Sequence, residues 1–163
     1  DGTLLKVRRD VVRLPDGTSG VREYLRHPGA VAIVALFDDG SVLLERQFRY
    51  PHGREFIELP AGKLDPGEPH ADTAKRELLE ETGYVASEWR HLGVIHTAIA
   101  YTDEAIQLYL ARNLTKTERK LDQGEFLECF SVPFAQALDM IRDGRITDAK
   151  SVAGLLWMDR FGK

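Results

Sequence analysis

The sequence predicts a single domain of the α/β or α+β class, a sandwich in which helices cover a mixed sheet. One observation behind this is a continuous apolar run of strand length over residues 29–37 (GAVAIVALF), and a second is the alternating pattern over residues 105–112 (AIQLYLAR). The third is the position of the helix signals, because one helix falls between the strands and two follow the last strand. A length of 163 residues suits one domain spanning residues 1–163.

Two hairpins are predicted at the start of the chain. The first joins residues 6–14 to residues 20–26 through Pro15-Asp16-Gly17-Thr18, a turn sequence whose glycine accepts positive φ. Asp38-Asp39-Gly40 would then turn the apolar run into a strand over residues 41–47. We expect this second hairpin to form the centre of the sheet.

The rest of the chain supplies further strands and two C-terminal helices. Strand-like composition recurs over residues 56–59, 89–96, 105–112 and 126–132. Residues 113–124 are polar and charged, which predicts a loop. Residues 133–142 should form a helix that stops at Gly144. Thr147 would cap a last helix ending near Phe161. One side of the sheet would be closed by the apolar face of that helix: Val152, Leu155, Leu156 and Trp157.

Composition restricts the partners of the chain. A net charge of −4 and a pI near 5.8 offer no general attraction to nucleic acid. The one cysteine, Cys129, excludes an intramolecular disulfide and a thiolate metal site, which fits a reducing cytoplasm. No apolar run approaches the roughly 18 residues of a membrane span. We therefore expect a cytoplasmic protein without a nucleic-acid or membrane partner.

Residues 62–84 (GKLDPGEPHADTAKRELLEETGY) contain the predicted inner helix. Pro69 suits a first helical position, and Gly83 stands where a left-handed residue would end the helix. Glu77, Glu80 and Glu81 are three and four residues apart in this helix, so they lie on one face with Cβ atoms roughly 5–6 Å apart. Three neighbouring carboxylates form either a solvated surface or a cation site.

A cation site of this composition would select a hard ion. The carboxylates supply only oxygen, and no cysteine or histidine lies between Glu77 and Glu81, so magnesium or manganese is favoured over zinc. Gly62 follows the apolar run that ends the preceding strand, and it would let the backbone carbonyl of Ala61 approach the same ion.

The complete spacing resembles the signature of the Nudix hydrolase family. Gly62 is followed after five residues by Glu68 and after seven more by Arg76-Glu77-Leu78-Leu79-Glu80-Glu81-Thr82-Gly83-Tyr84. Tyr84 departs from the family pattern, which has a bulky aliphatic residue at this position. The resemblance implies an α/β/α sandwich with a mixed sheet and metal-dependent hydrolysis of a nucleoside diphosphate linked to another group.

The resemblance also implies roles for individual residues. Glu77, Glu80, Glu81 and the Ala61 carbonyl would hold the metal, with Glu125 completing the site. Either Glu80 or Glu125 would take the proton of the attacking water, with Glu128 as the second choice after Glu125. The remaining signature residues would maintain the structure of this segment: Gly62, Glu68, Arg76 and Gly83. Of these, Arg76 should pair with Glu80 one turn on, and Glu68 should either bind metal in an outer position or hold the loop.

Arg49 is the candidate substrate-binding residue. It ends a Gln-aromatic-Arg sequence that is similar to one in the ADP-ribose branch of the family, where the arginine contacts the diphosphate. Glu58 would orient Arg49 or be an ordinary exposed strand residue. A departure from that branch is Ile99-Ala100, which replaces a Pro-Gly pair. The match at Arg49 nevertheless makes ADP-ribose the expected substrate. The alternative substrates are GDP-mannose and a nucleoside triphosphate, and the alternative to an enzyme is a non-catalytic nucleotide-binding module.

Two further expectations concern assembly and the histidines. Residues 1–27 form the N-terminal hairpin, which has few apolar residues for a core, and residues 28–163 form the catalytic core. The resemblance implies a homodimer in which the N-terminal strands contribute to the partner's site. His91 and His96 have no partner at metal-ligand spacing, and they are expected to be ordinary strand residues.

Overall fold

The computed structural model describes residue 2, residues 5–119 and residues 126–162. The candidate base Glu125 lies outside these described residues. The strands and α-helices of the described residues follow one another in this order: β1 (Lys6–Arg13), β2 (Ser19–Arg26), β3 (Ala30–Ala35), β4 (Ser41–Arg49), β5 (Arg54–Glu58), β6 (Ala61–Lys63), α1 (His70–Thr82), β7 (Tyr84–His96), β8 (Ala105–Lys116), β9 (Leu127–Pro133), α2 (Phe134–Arg142) and α3 (Ala149–Phe161).

Strand β3 is buried on both faces and separates two helical layers. Val31 and Ile33 pack in a cluster with Ala74 and Leu78 of α1. Val34, on the other face, packs in a cluster that contains residues of α2 and α3. Because successive side chains of a strand point to opposite faces, one apolar strand serves both layers. The α/β/α sandwich expected from the sequence is therefore confirmed.

The core strands form two sheets. One has the order β6-β3-β8-β7, with β3 and β8 parallel and the other pairs antiparallel, so this sheet is mixed as predicted. The second sheet has the order β5-β4-β9 and is antiparallel. The position of α1 follows from the first sheet, because α1 contacts β3, β6 and β7.

The prediction of a second hairpin is wrong. Strands β3 and β4 belong to different sheets, and an isolated bridge between Leu36 and Val42 joins their ends. Both strands are rich in buried residues, and each lies in the interior of its own sheet with a neighbour on either side. Strand β3 pairs with β6 and β8, whereas β4 pairs with β5 and β9.

The N-terminal hairpin is present as predicted and forms a separate antiparallel pair, β1-β2. It is attached to the core at the end of β2. The backbone N–H of Leu25 donates to the Tyr101 carbonyl at 2.8 Å, and Arg26 forms an ion pair with Asp103 at 2.8 Å. Most residues of this hairpin are exposed, including Val7 and Val11.

Three other details differ from the sequence prediction. Strand β8 continues to Lys116, through residues that were expected to form a loop. The cause is the early start of β7 at Tyr84, directly after the left-handed Gly83, because the first residues of β7 pair with the last residues of β8. Asp148, and not Thr147, caps α3, since its side chain accepts a hydrogen bond from the Ser151 N–H. Smaller differences are that Pro69 and Pro133 precede their helices as N-caps, and that Leu156 is exposed.

The part of the chain that the structure describes contains no helix long and apolar enough to cross a membrane.

Candidate active site

Two glutamates of α1 lie against strand β6. A Cβ atom added at Gly62 would lie 1.9 Å from the Cδ of Glu77, so glycine is required for this close approach. Glu81 accepts a hydrogen bond from the backbone N–H of Ala61 at 2.9 Å and is 4% exposed. The helix and the loop before it therefore present two carboxylates and a backbone segment to the same space.

Arg76 connects the acidic residues of this segment. Its Nε and Nη2 donate to the two carboxylate oxygens of Glu68 at 3.0 and 2.9 Å. Its Nη1 donates to Glu77 at 2.8 Å and to Glu80 at 2.9 Å, and Nη2 also reaches the carbonyl of Lys63 at 3.1 Å. The Arg76–Glu80 pair expected from the helical spacing is thus one part of a larger network.

Glu68 contacts protein groups with both carboxylate oxygens. Hydrogen bonds from Arg76, followed by those from Thr73 and the Asp65 N–H, lower the pKa of Glu68 to about 2. The same pairing raises the pKa of Arg76 well above its ordinary value. Between the two roles considered for Glu68, these contacts favour holding the loop.

A cavity of about 650 Å³ opens beside the two glutamates. Glu77, Glu81, Ala61 and Gly62 line it, and so does Arg49. Its volume is in the range of small-molecule sites. Glu80 is not among the described residues that line this cavity, and its carboxylate accepts a hydrogen bond from Arg76 at 2.9 Å.

Arg49 is held at the cavity by a bidentate ion pair. Its Nε and Nη2 donate to the two oxygens of Glu58, both at 2.7 Å. Lys150 of α3 donates to the same carboxylate and also to Asp148 at 3.0 Å. Glu58 is 2% exposed, so the suggestion of an exposed strand residue is wrong and its orientation of Arg49 is the alternative that fits the structure.

Comparisons with known proteins identify the family of the chain. A family model described as the NUDIX domain matches residues 26–155. The chain belongs to the Nudix family. The match includes the acidic face of α1, Arg49, Glu58 and Lys150.

Relatives of similar length carry two different descriptions. The chain is 38% identical over 159 residues to the methanol dehydrogenase activator of Bacillus methanolicus and 37% identical over 159 residues to the ADP-ribose pyrophosphatase of Bacillus subtilis (strain 168). Each alignment covers 96% of this chain and 86% of the relative. The chain is also 40% identical over 158 residues to the ADP-ribose pyrophosphatase of Mycobacterium tuberculosis. This alignment covers 95% of the chain and 76% of the relative.

A solved structure described as an ADP compounds hydrolase has the same fold. It superposes with a TM-score of 0.86 at 23% identity, and the match covers 99% of this chain and 88% of that one.

The donor set of this Nudix site fits a hard divalent cation. The cavity is lined by the carboxylates of Glu77 and Glu81 together with Ala61, and the cradle at Gly62 would be filled by any larger residue. The described residues contain no group of three or more histidine, cysteine, aspartate or glutamate side chains placed to hold a metal. Carboxylate and backbone oxygens are the ligands that a hard divalent cation prefers, with water or substrate oxygens completing its coordination.

Other candidates lie elsewhere. Glu128, on β9, is exposed and pairs with Arg46. His91 and His96 are on β7, and His91 shares a hydrogen bond with Gln107 on the neighbouring strand at 2.8 Å. These contacts match ordinary strand residues.

Among the charged residues that the sequence analysis missed, two lie beside Glu58: Lys150 and Glu45. Lys150 lies three residues after Thr147, in a segment interpreted as the start of a helix, and nothing in its local sequence connects it to Glu58. Glu45 follows three apolar residues of β4 and is opposite Glu58 in the sheet register. Burial, followed by the negative charge of Glu58, raises the pKa of Glu45 to about 8. Among the described residues its Oε2 atom has no hydrogen-bond partner.

Proposed function

We propose that this Nudix domain hydrolyses ADP-ribose to AMP and ribose 5-phosphate with magnesium or manganese as cofactor. The observation that carries this proposal is one cavity lined by the carboxylates of Glu77 and Glu81 and by the guanidinium of Arg49. Both kinds of group suit a diphosphate, because the carboxylates would hold a metal cation and the guanidinium supplies a second positive charge for the anionic phosphate oxygens. The substrate assignment is supported by the two relatives described as ADP-ribose pyrophosphatases.

The residues of the site divide the work. Glu77, Glu81 and the Ala61 carbonyl would hold the metal, which when bound would supply positive charge at the phosphate and lower the pKa of water. Arg76 keeps Glu77 oriented, and Arg49 binds a phosphate oxygen.

A carboxylate accepts the proton of the attacking water while the P–O–P bond breaks, and the departing phosphate leaves with the bridging oxygen. The two candidates for this base are Glu80 and Glu125. The bond from Arg76 to Glu80 favours Glu125 as base, with Glu80 as the alternative. The proposed set of metal-binding residues also includes both Glu80 and Glu125.

The proposal extends to assembly. Apolar side chains on and beside the hairpin are exposed, including Leu5 at 55%, Val7 at 58% and Val11 at 75%. Exposed apolar surface of this kind suits a partner, and we propose that a second copy of the chain covers it to form a homodimer. The acidic net charge and the lone cysteine support a cytoplasmic enzyme without a nucleic-acid partner.

A nucleotide-sugar panel tests the function. Purified protein with magnesium would be incubated with ADP-ribose, GDP-mannose and ATP, and the products separated by chromatography. AMP and ribose 5-phosphate should form fastest from ADP-ribose and should not form in excess EDTA. Faster release of GMP from GDP-mannose would reassign the substrate. No turnover of any compound would favour a non-catalytic nucleotide-binding module, and light scattering of the same sample measures the dimer.

A further inference from the structure

The first turn of α3 is attached to the candidate site by side chains. Asp148 accepts hydrogen bonds from the Ser151 N–H at 3.0 Å and from the Ser151 hydroxyl at 2.6 Å. That hydroxyl accepts a hydrogen bond from the backbone N–H of Leu59 at 2.8 Å. Lys150, between these two residues, binds Glu58 and Asp148. The turn therefore contacts two successive residues, Glu58 and Leu59, just before strand β6 begins at Ala61.

Glu58 needs more positive charge than Arg49 alone provides. Its side chain is 2% exposed and lies opposite the buried Glu45. Burial acts to raise the pKa of Glu58, but the hydrogen bonds of Arg49 and the charge of Lys150 outweigh it, and the net result is a lowered pKa. A carboxylate in such a position is stable only when it is paired and hydrogen-bonded. Lys150 supplies the second cation.

The pairing determines which part of Arg49 is available to a ligand. Nε and Nη2 are both occupied by Glu58, and among the described residues Nη1 has no partner. The guanidinium is planar, so fixing one edge on Glu58 fixes the direction of Nη1 as well. Arg49 also lines the cavity.

Lys150 itself is less available for direct binding. Its side chain is 12% exposed, and its ammonium group is already bound to two carboxylates. Lys150 also lines the cavity, but an ammonium group has three donors, and Glu58 and Asp148 occupy two of them here.

We propose that Lys150 is a positioning residue for diphosphate binding, which holds Glu58 so that Glu58 fixes the guanidinium of Arg49. The inference rests on the proposed role of Arg49 in binding phosphate. It adds a residue from the C-terminal helix to a site otherwise built from β4, β5, β6 and α1.

A double-mutant cycle tests this, with ADP as the diphosphate probe and calorimetry in EDTA as the measurement. Without metal, affinity reports the protein's own cations. We expect Arg49→Met to weaken ADP binding about tenfold or more, and Lys150→Met to weaken it by a similar factor. The double variant should be no weaker than Arg49→Met, because Lys150 acts through Arg49. Lys75→Met, which removes an exposed lysine paired with Asp72, is the matched control and should bind ADP normally.

Three results would overturn the proposal. Additive losses in the double variant would make Lys150 an independent phosphate ligand. Unchanged ADP affinity in Lys150→Met would make it a structural residue of α3. Absence of ADP binding by the unmodified protein in EDTA would remove the role of Arg49 on which the inference depends.

A turnover measurement separates this inference from the proposed function. With ADP-ribose and magnesium, Lys150→Met should raise KM about tenfold and leave kcat nearly unchanged. If the cycle shows the expected coupling and ADP-ribose is not hydrolysed, the function is wrong and the positioning role stands.

A second variant guards against loss of folding. Lys150→Met leaves the buried Glu58 with one cation, so thermal denaturation should accompany each titration. If that variant does not fold, the paired variant Glu58→Gln/Lys150→Met removes the carboxylate together with its cation. The same tenfold loss of ADP affinity is expected, since Arg49 then has no carboxylate to fix it, and normal affinity would contradict the proposal.

Discussion

The carboxylate of Glu77 occupies the space in which any side chain at position 62 would begin. A Cβ atom built on Gly62 would lie 1.9 Å from Cδ of Glu77 and 2.0 Å from its nearer oxygen. Side-chain carbon atoms do not approach so closely, so the Glu77 carboxylate at the end of its flexible side chain would have to move away from strand β6.

Gly62→Ala should therefore displace the carboxylate of Glu77 from its position against strand β6. Overpacking of this kind costs roughly 1–3 kcal/mol of stability, and the displaced Glu77 should lower activity at least tenfold. The measurements are a denaturation curve and initial rates with ADP-ribose. Gly20→Ala is the control, because its Cβ would meet the flexible side chain of Leu14 at 3.1 Å, far from the cavity. Full activity in Gly62→Ala would show that Glu77 is not needed where it lies.

Arg76→Lys should be nearly as damaging as removal of the side chain. The guanidinium donates to Glu68, Glu77, Glu80 and the Lys63 carbonyl, and an ammonium group cannot reach all four. We expect a loss of at least tenfold in kcat/KM. The pKa of Glu68 should also rise from about 2 towards its ordinary value, since hydrogen bonds from Arg76 are the largest cause of its depression.

An NMR titration of the Glu68 carboxyl measures this second effect directly. Arg142→Lys, on the exposed face of α2, is the control for an arginine replacement and should behave like the unmodified protein. A Glu68 pKa that stays near 2 in Arg76→Lys would contradict the assigned cause.

Glu45→Gln should stabilise the protein at alkaline pH. The pKa of Glu45 is raised from 4.5 to about 8 in the folded chain, mainly by burial. Between these two values the unfolded chain releases the proton and the folded chain keeps it, so stability falls as pH rises from about 4.5 to about 8. Glutamine removes this dependence. The gain in unfolding free energy should be roughly 1–3 kcal/mol larger at pH 8 than at pH 5.

Thermal or urea denaturation at the two pH values tests the effect of Glu45→Gln. Glu88→Gln, at an exposed position of β7, is the comparison and should change stability little at either pH. Equal changes at pH 5 and pH 8 in Glu45→Gln would mean that Glu45 is ionised in the folded protein at pH 8 as readily as in the unfolded chain.

Arg49→Ala and Glu125→Gln should separate binding from chemistry. Loss of a charge-assisted hydrogen bond worth about 1.5–3 kcal/mol lowers kcat/KM by about one to two orders of magnitude for Arg49→Ala, with metal affinity unchanged. Glu125→Gln should lower kcat while substrate affinity persists. Single-turnover rates and dissociation constants distinguish the two. Normal turnover in Glu125→Gln would transfer the role of base to Glu80.

The acidic face of α1 was predictable because it depends on local spacing. Glu77, Glu80 and Glu81 share a helix face wherever the helix forms, and Gly83 adopts the left-handed conformation, with φ of 71°, that its position in the sequence indicates. The apolar run over residues 29–37 likewise predicted a strand, which the structure forms as β3.

Relationships between distant segments were not predictable from these rules. Lys150 meets Glu58 across 92 residues, and a lysine in the first turn of a helix has no local signature that names its partner. The separation of β3 and β4 has a similar origin, since Asp38-Asp39-Gly40 is compatible with a hairpin and with a change of sheet. The choice between a hairpin and a change of sheet depends on the strands that pair with β3 and β4. These partners are β6 and β8 for β3, and β5 and β9 for β4, and most of them are distant in sequence.

The contacts between α3 and the loop before Ala61 also set an order of events in time. The backbone N–H of Leu59 cannot form its hydrogen bond to the Ser151 hydroxyl until Ser151, 92 residues later in the chain, has been synthesised. A nascent chain emerges from its N-terminus first, so α1 and the loop leave the ribosome well before their support does. Closing so long a loop costs little additional entropy per residue, but it delays the final contacts. The newly made enzyme should therefore acquire its full activity late, when its C-terminal helix has docked.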